Sequence, residues 1–163
     1  MNATIQPAPV RKTIVVAADP ATAFEVFASR IDRWWPRSHT IGKGPLARVV
    51  IEGRVGGRWY GVDEDGTETN WGDVLVWSPP ERLVLAWRIA ADWRFDPGLH
   101  TEVEVTFNAV ALGTEVRLEH RYLERMGPAA DAARAAFDSP NGWGAIIALY
   151  AAEAARTGAG EGP

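Results

Sequence analysis

The sequence predicts a single α+β domain in which an antiparallel sheet is covered on one face by a C-terminal helix. Residues 101–107 and 114–122 alternate apolar and polar side chains, which is typical of antiparallel strands with one covered and one solvated face. Near the C-terminus, apolar side chains recur at steps of three and four residues and form one stripe on a helix: Trp143, Ile146, Ile147 and Tyr150. A central run of strands with helices before and after it indicates the α+β class.

The first elements follow from local signals near the N-terminus. Residues 11–17 are rich in β-branched side chains and predict a strand. Asp19 is a typical N-cap, and Pro20 suits the first position of a helix. Pro36 should end this helical region. One apolar stripe then runs along one helix or two short ones: Phe24, Phe27, Ile31 and Trp34.

The middle of the chain changes to a strand-like pattern. Glycine, proline and Asp-Gly turn signals separate four further predicted strands, at residues 46–51, 57–62, 70–77 and 82–88. After the two alternating strands, an alanine-rich segment at 128–137 predicts a short helix. Ser139 as cap and Pro140 as first residue predict the start of the last helix.

The composition excludes several classes of protein and site. The 163 residues carry 17 basic and 21 acidic side chains, for a formal net charge of −4, and contain no cysteine. Disulfides, a thiolate nucleophile and cysteine-based metal sites are therefore excluded. The acidic balance argues against binding to nucleic acid. No segment resembles a secretion signal or a membrane span, so we expect a cytoplasmic protein that does not contact the membrane.

The ends of the chain lack core-forming patterns. We expect residues 1–9 and 157–163 to be disordered and one domain to occupy residues 10–156.

Two motifs look functional but have a structural explanation. Gly42 and Gly44 fit part of a dinucleotide-binding fingerprint, yet a strand follows them where that motif needs a helix, so a loop is predicted. The acidic stretch at 63–68 has the wrong spacing for a calcium loop, and its Asp-Gly pair predicts a hairpin turn.

His39 and His100 fall in predicted loops, and no histidine spacing indicates a metal site. We expect no metal and no organic cofactor.

The order and spacing of several short motifs resemble one known family. These motifs are Asp19-Pro20 with Phe24, Trp34-Trp35, residues 55–59, 72–75 and 79–83, Trp87, residues 114–120 and Gly142-Trp143. Across about residues 11–156 the chain resembles the START-like (SRPBCC) superfamily, in the branch related to the C-terminal domain of the activator of heat-shock-protein-90 ATPase.

The resemblance implies a helix-grip (START/Bet v-like) fold, with a curved antiparallel sheet of about six to seven strands around a long C-terminal helix. Family members commonly hold a hydrophobic small molecule in a cavity between the sheet and this helix. Residues 89–100 form a longer loop than a hairpin needs and could cover the cavity mouth. The separate N-terminal domain of the eukaryotic co-chaperones is not found in this sequence, so we expect no stimulation of the chaperone ATPase by this chain alone.

Eight tryptophans in a chain of this size suggest broad aromatic walls. We expect the ligand to contact inward-facing side chains of the sheet and helices: Trp35, Trp59, Leu85, Trp87, Val105, Phe107, Leu118, His120, Tyr122, Trp143 and Ile147. Alternation along the last strand turns His120 and Tyr122 inward, where they could act as general acid and base. A hydrogen-bonded core histidine explains His120 equally simply and is the interpretation we favour, because no catalytic partner stands at a local spacing.

The sequence therefore predicts binding of a hydrophobic small molecule, by a monomer or a homodimer, with no catalytic residue assigned. One alternative is an enzyme of the cyclase, aromatase or hydrolase type that acts on a hydrophobic substrate in the same cavity. Another is an interaction module associated with a chaperone.

Overall fold

The computed structural model describes residues 8–159, so the predictions for residues 1–7 and 160–163 lie outside the described part. A seven-stranded antiparallel sheet has the order β1-β7-β6-β5-β4-β3-β2. The strands are β1 Val10–Val16, β2 Leu46–Ile51, β3 Arg58–Asp63, β4 Glu68–Ser78, β5 Arg82–Trp87, β6 Thr101–Val110 and β7 Gly113–Arg121. The helices are α1 Pro20–Ala28, α2 Ala130–Asp138 and α3 Trp143–Gly158, with 3₁₀ turns at Ile31–Arg33 and Leu123–Ala129.

The predicted fold class is confirmed. The sheet curls as a half-barrel around α3, as the helix-grip fold requires. Every predicted strand is present within two residues at each end, except that β6 continues three residues further, to Val110. The carboxylate of Asp19 accepts a hydrogen bond from the Thr22 backbone N–H at 2.8 Å, and Pro20 is the first residue of α1. Helix α1 therefore begins where the Asp19 cap and Pro20 predicted it.

The predicted start of the last helix, at Ser139 and Pro140, is wrong. Ser139 does not cap α3 but ends α2, where its hydroxyl donates to the Ala136 carbonyl at 2.7 Å. The chain then turns through residues 140–142, and α3 begins at Trp143. A side chain at Gly142 would lie 2.1 Å from the Phe137 carbonyl oxygen, so the turn requires glycine there. The Ser-Pro signal marked a helix boundary but not the right one.

The two motifs judged structural are a loop and a turn. Gly44 lies in an irregular segment, and its N–H donates to the Asp63 carboxylate at 3.1 Å. Asp65 accepts from the Thr67 N–H at 2.9 Å, and Gly66 adopts a φ of 88° in the turn between β3 and β4. Both segments thus use their polar groups within the chain.

The core is divided into two connected aromatic groups. At one end of the sheet, α1 packs on β6, β7 and α3, and the hydroxyl of Tyr150 donates to the Ala23 carbonyl at 2.8 Å. The rings that fill this end are Phe24, Phe27, Trp34, Phe107 and Tyr150. At the other end the rings belong to β3, β4, β5, α2 and the start of α3, and they leave a cavity.

None of the helices in the described part of the chain combines the length and the apolarity needed to cross a bilayer.

Candidate functional site

A cavity of about 330 Å³ lies beside the first turns of α3. It is enclosed by β4 and β5, the loop at residues 35–41, the loop after β5, the end of α2 and the turn before α3. Its apolar lining consists of Trp35, Ile41, Trp71, Trp87, Ile89, Trp93, Ala136, Phe137, Gly142, Trp143 and Ile146. This volume is at the lower end of the range of small-molecule pockets, roughly 300–1,000 Å³.

The tryptophan rings of the cavity wall are fixed by contacts with one another and by hydrogen bonds. The ring of Trp87 lies 5.8 Å from Trp143 and 5.3 Å from Phe137, both near edge-to-face. The indole N–H of Trp87 donates to the Ile89 carbonyl at 3.0 Å, and that of Trp35 donates to the His39 carbonyl at 2.8 Å. The wall is thus largely preorganised, since aromatic pairs at such distances are favourable.

Trp71 differs from these rings because its indole N–H has no acceptor in the part of the chain that the structure describes. Trp71 and Trp59 are both 1% exposed, and the Nε1 atom of each is buried without a hydrogen-bond partner within the described residues. Their rings are in contact, with centroids 5.8 Å apart, but only Trp71 belongs to the cavity lining. An unpaired buried donor costs about 1–3 kcal/mol, and Trp71 is the residue of the cavity lining that carries such a donor within the described part of the chain.

The loop after β5 forms part of the cavity wall, as its length suggested. Ile89 and Phe95 pair as an isolated bridge, and Trp93 adopts a left-handed backbone with φ of 63°. This conformation is unusual for a bulky side chain. The ring of Trp93 is 51% exposed and lies 6.1 Å from Phe137. An exposed indole therefore stands at the rim of the cavity.

Polar side chains occupy another part of the lining: Ser38, His39, Thr40, Ser139 and Asn141. The Nε2 atom of His39 lies 2.7 Å from the Asn141 carbonyl oxygen, and its Nδ1 atom lies 2.9 Å from the Ser38 hydroxyl. The histidine thereby links the loop at residues 35–41 to the turn before α3. From the sequence, His39 is predicted only as a loop residue, since its contact with Asn141 joins positions far apart in the chain and leaves no local pattern.

His120 is a core residue behind the cavity wall, and both of its ring nitrogens have hydrogen-bond partners. It is fully buried, its Nδ1 accepts from the Trp143 indole N–H at 3.1 Å, and its Nε2 lies 2.9 Å from the Thr101 hydroxyl oxygen. An indole N–H can only donate, so Nδ1 carries no proton and Nε2–H donates to Thr101. Burial lowers the pKa of His120 to about 3. His120 is thus a neutral imidazole with both nitrogens occupied, which supports the core interpretation.

The prediction that Tyr122 turns inward is wrong, because the structure places its ring on the surface. The last strand ends at Arg121, and Tyr122 adopts a left-handed backbone with φ of 64°. This conformation breaks the alternation that was expected to turn the ring inward. The ring is 41% exposed and lies under the guanidinium of Arg125, 4.3 Å from its centroid. Tyr122 therefore cannot serve as an acid or base inside the cavity.

Of the predicted ligand contacts, Trp35, Trp87 and Trp143 line the cavity. The others lie outside its lining: Trp59, Leu85, Val105, Phe107, Leu118, His120, Tyr122 and Ile147. All of these except Tyr122 are buried, so the inward direction was right for them. Phe107 shows why direction was not enough: its ring packs 5.2 Å from Phe24 of α1, in the part of the sheet that the helices fill.

Comparison with known proteins places the chain in a family. A family model described as activator of Hsp90 ATPase homolog 1-like protein matches residues 17–149. None of the curated proteins matches the chain significantly.

Solved structures resemble the chain over nearly its whole length. An anthrahydroquino-gamma-pyrone synthase, complexed with SUM, is 42% identical over 90% of this chain and 97% of its own, with a TM-score of 0.63. The self-sacrificing resistance protein CalC from Micromonospora echinospora is 34% identical over 94% of this chain and 98% of its own, with a TM-score of 0.69. DynU16, from the dynemicin biosynthetic locus, is 20% identical over 90% of this chain and 46% of its own, with a TM-score of 0.57, and shows the fold alone.

Proposed function

Since the chain belongs to the activator of Hsp90 ATPase homolog 1-like family, we propose that its cavity binds a planar, aromatic and hydrophobic small molecule. The observation that carries this proposal is the wall of the cavity, which includes five of the eight tryptophans together with Phe137. Apolar and aromatic walls with a few polar groups are typical of small-molecule sites. Flat rings on several sides favour a flat ligand, because each ring–ring contact contributes about 0.5–1.5 kcal/mol beyond burial.

One of the two more similar solved structures supports a polycyclic ligand. One is named as a synthase of an anthrahydroquinone fused to a pyrone, and the other as a resistance protein. Both share more than 30% identity with this chain and cover nearly all of it. Hydroxylated anthraquinones are flat, tricyclic and commercially available. Emodin, which carries three phenolic hydroxyls and two carbonyls, is therefore a suitable probe for the cavity.

The unpaired indole N–H of Trp71 further supports a ligand that carries a carbonyl oxygen. Trp71 is 1% exposed and lines the cavity, and its Nε1 has no acceptor among the described residues. We infer that an oxygen of the bound ligand reaches Nε1, where it would supply the missing acceptor and remove the cost of an unpaired donor. Quinones present such oxygens on a flat aromatic frame.

The substitution Trp71→Phe tests this assignment. It keeps an aromatic ring but removes the N–H, so we expect the affinity for emodin, measured by isothermal titration calorimetry, to fall about two- to tenfold, the contribution of one hydrogen bond. The matched control is Trp59→Phe, which removes an equally buried and unpaired N–H outside the cavity lining. Equal losses of affinity in the two variants would contradict a contact between the ligand and Trp71.

An enzyme is the second candidate, and the 42% identity to a synthase favours it. Under this hypothesis the protein is a cyclase: it holds a hydrophobic substrate in the cavity and catalyses closure of a ring in that substrate. The neutral, doubly hydrogen-bonded His120 is not available as its acid or base, because both of its nitrogens are occupied by Trp143 and Thr101. A catalytic group would have to come from the polar part of the lining.

A further inference from the structure

His39 is the one side chain with an ionisable group on the cavity lining formed by the described residues, and no carboxylate, ammonium or guanidinium group lies beside it on that lining. The imidazole is half-buried, at the edge between the aromatic wall and solvent. Proton chemistry inside the cavity would therefore depend on this residue. The nearest charged side chain along the chain, Arg37, is paired with Asp32 at 2.9 Å and so is already engaged.

The partners of His39 determine which nitrogen can exchange a proton. Nε2 faces the Asn141 carbonyl oxygen at 2.7 Å, and a carbonyl can only accept. Nε2 therefore carries a proton in both the neutral and the charged imidazole. Nδ1 faces the Ser38 hydroxyl at 2.9 Å, which can donate to a neutral ring or accept from a charged one. Both ionisation states keep both hydrogen bonds, so Nδ1 can gain or lose a proton with no change beyond a rotation of the Ser38 hydroxyl.

The donor that now occupies Nδ1 is easily replaced. Ser38 is exposed and belongs to the cavity lining, so its hydroxyl can turn to water while a ligand hydroxyl takes its place on Nδ1. The bond from Nε2 to Asn141 would meanwhile keep the ring in position, as a second hydrogen bond does for reactive histidines. This geometry differs from that of His120, whose Nδ1 is held by a buried indole.

We propose that Nδ1 of His39 is the proton acceptor of the cavity and that it receives the proton of a phenolic or enolic hydroxyl on the bound ligand. In this step the O–H bond of the ligand breaks and an N–H bond forms at Nδ1, leaving a phenolate or enolate and an imidazolium. The proton returns by the same route when the ligand leaves or reacts. The inference rests on the proposed function and specifies its ligand as a hydroxylated aromatic molecule; if the enzyme alternative holds, the step generates an oxygen nucleophile.

The visible absorption of emodin tests this inference, because its phenol and phenolate forms differ in colour. The acid ionisation constant of emodin bound to the wild-type protein should be at least tenfold larger than that of emodin bound to His39→Gln. The reason is that the glutamine side chain cannot accept the proton. His100→Gln is the matched control: His100 also lies in a loop and is half-buried, but its ring faces Glu102 outside the cavity lining. It should behave as wild type.

A second measurement needs no variant. Wild-type protein should bind emodin at least about tenfold more tightly than 9,10-anthraquinone, which has the same carbonyls but no hydroxyl, because hydrogen bonds to charged groups are among the strongest. If emodin binds but ionises equally in wild type and His39→Gln, or if the two probes bind wild type equally, the inference is wrong and the proposed function stands. If neither probe binds wild type, the inference is wrong, and the proposed function is wrong as well if a wider panel of flavonoids, aromatic acids and lipids also fails to bind.

Discussion

Lowering the pH from 7 to 5 is expected to reduce the free energy of unfolding by about 2 kcal/mol through His120 alone. Burial lowers the pKa of His120 to about 3 in the folded protein, against about 6.5 in the unfolded chain. The unfolded state therefore takes up a proton below pH 6.5 that the folded state does not. Stability from this group is complete above pH 6.5, and about 1.4 kcal/mol is lost for each pH unit between 6.5 and 3.

The structure explains why His120 resists protonation. A proton on Nδ1 would point at the indole N–H of Trp143, which now donates to that atom. The ring is otherwise surrounded by Thr101 and by the aromatic rings of Trp87 and Phe137, and none of these carries a charge. Burial and the loss of this hydrogen bond therefore act in the same direction.

His120→Gln is the variant that isolates the effect. Its amide can accept from Trp143 and donate to Thr101 but does not titrate, so urea unfolding should show about 2 kcal/mol less pH dependence between 7 and 5 than in wild type. Paired carboxylates act at lower pH: Lys12 holds the pKa of Asp138 below its usual range, so that pair is lost only below about pH 4. Equal pH dependence in wild type and variant would show that His120 is not the neutral core residue described.

Replacing Trp87 by alanine should have the largest effect on both stability and binding. Trp87 is 6% exposed, contacts the rings of Trp143 and Phe137 and anchors the following loop through its bond to the Ile89 carbonyl. Large-to-small replacements of this kind cost about 3–5 kcal/mol. Because the ring also forms part of the cavity wall, we expect the affinity for emodin to fall at least tenfold, measured calorimetrically at a temperature where the variant remains folded.

Phe107→Ala separates binding from stability. Phe107 is 3% exposed and packs among the rings near α1, so it should lose a similar 3–5 kcal/mol of stability while the affinity for emodin stays within about twofold. Trp77→Phe is a milder control, since Trp77 packs on Phe24 and not on the cavity. If the affinity for emodin falls in proportion to the loss of stability in Trp87→Ala, Phe107→Ala and Trp77→Phe, the cavity wall has no specific role in binding.

Most of the fold could be predicted because the strands and helices follow local patterns. The alternation along β6 and β7 correctly predicted which side chains face inward, as far as His120, which is fully buried. The pattern failed at Tyr122, where a left-handed residue ends the strand, and at Ser139, where the turn before α3 depends on a close approach to Phe137. Both errors occur where backbone geometry outside a regular element decides the direction of the chain.

The cavity could be predicted only in outline. Alternation shows which side chains face inward, but whether they meet a helix or empty space depends on how far α1 extends over the sheet. Phe107 and Trp87 are both inward residues on strands, yet only Phe107 packs against α1, whereas Trp87 lies beside the start of α3 and lines the cavity. The pairing of His39 with Asn141 likewise joins positions 102 residues apart and leaves no local signal.

The most direct test of the account is the thermal and calorimetric response of the wild-type protein to emodin. Binding in the tryptophan-lined cavity predicts one emodin per chain, quenching of tryptophan fluorescence beyond that of N-acetyltryptophanamide at the same absorbance, and stabilisation by about 2.7 kcal/mol when free emodin is a hundred times Kd. No heat of binding and no stabilisation, with emodin and with a wider panel of flavonoids, aromatic acids and lipids, would contradict the proposal that this cavity binds a hydrophobic ligand.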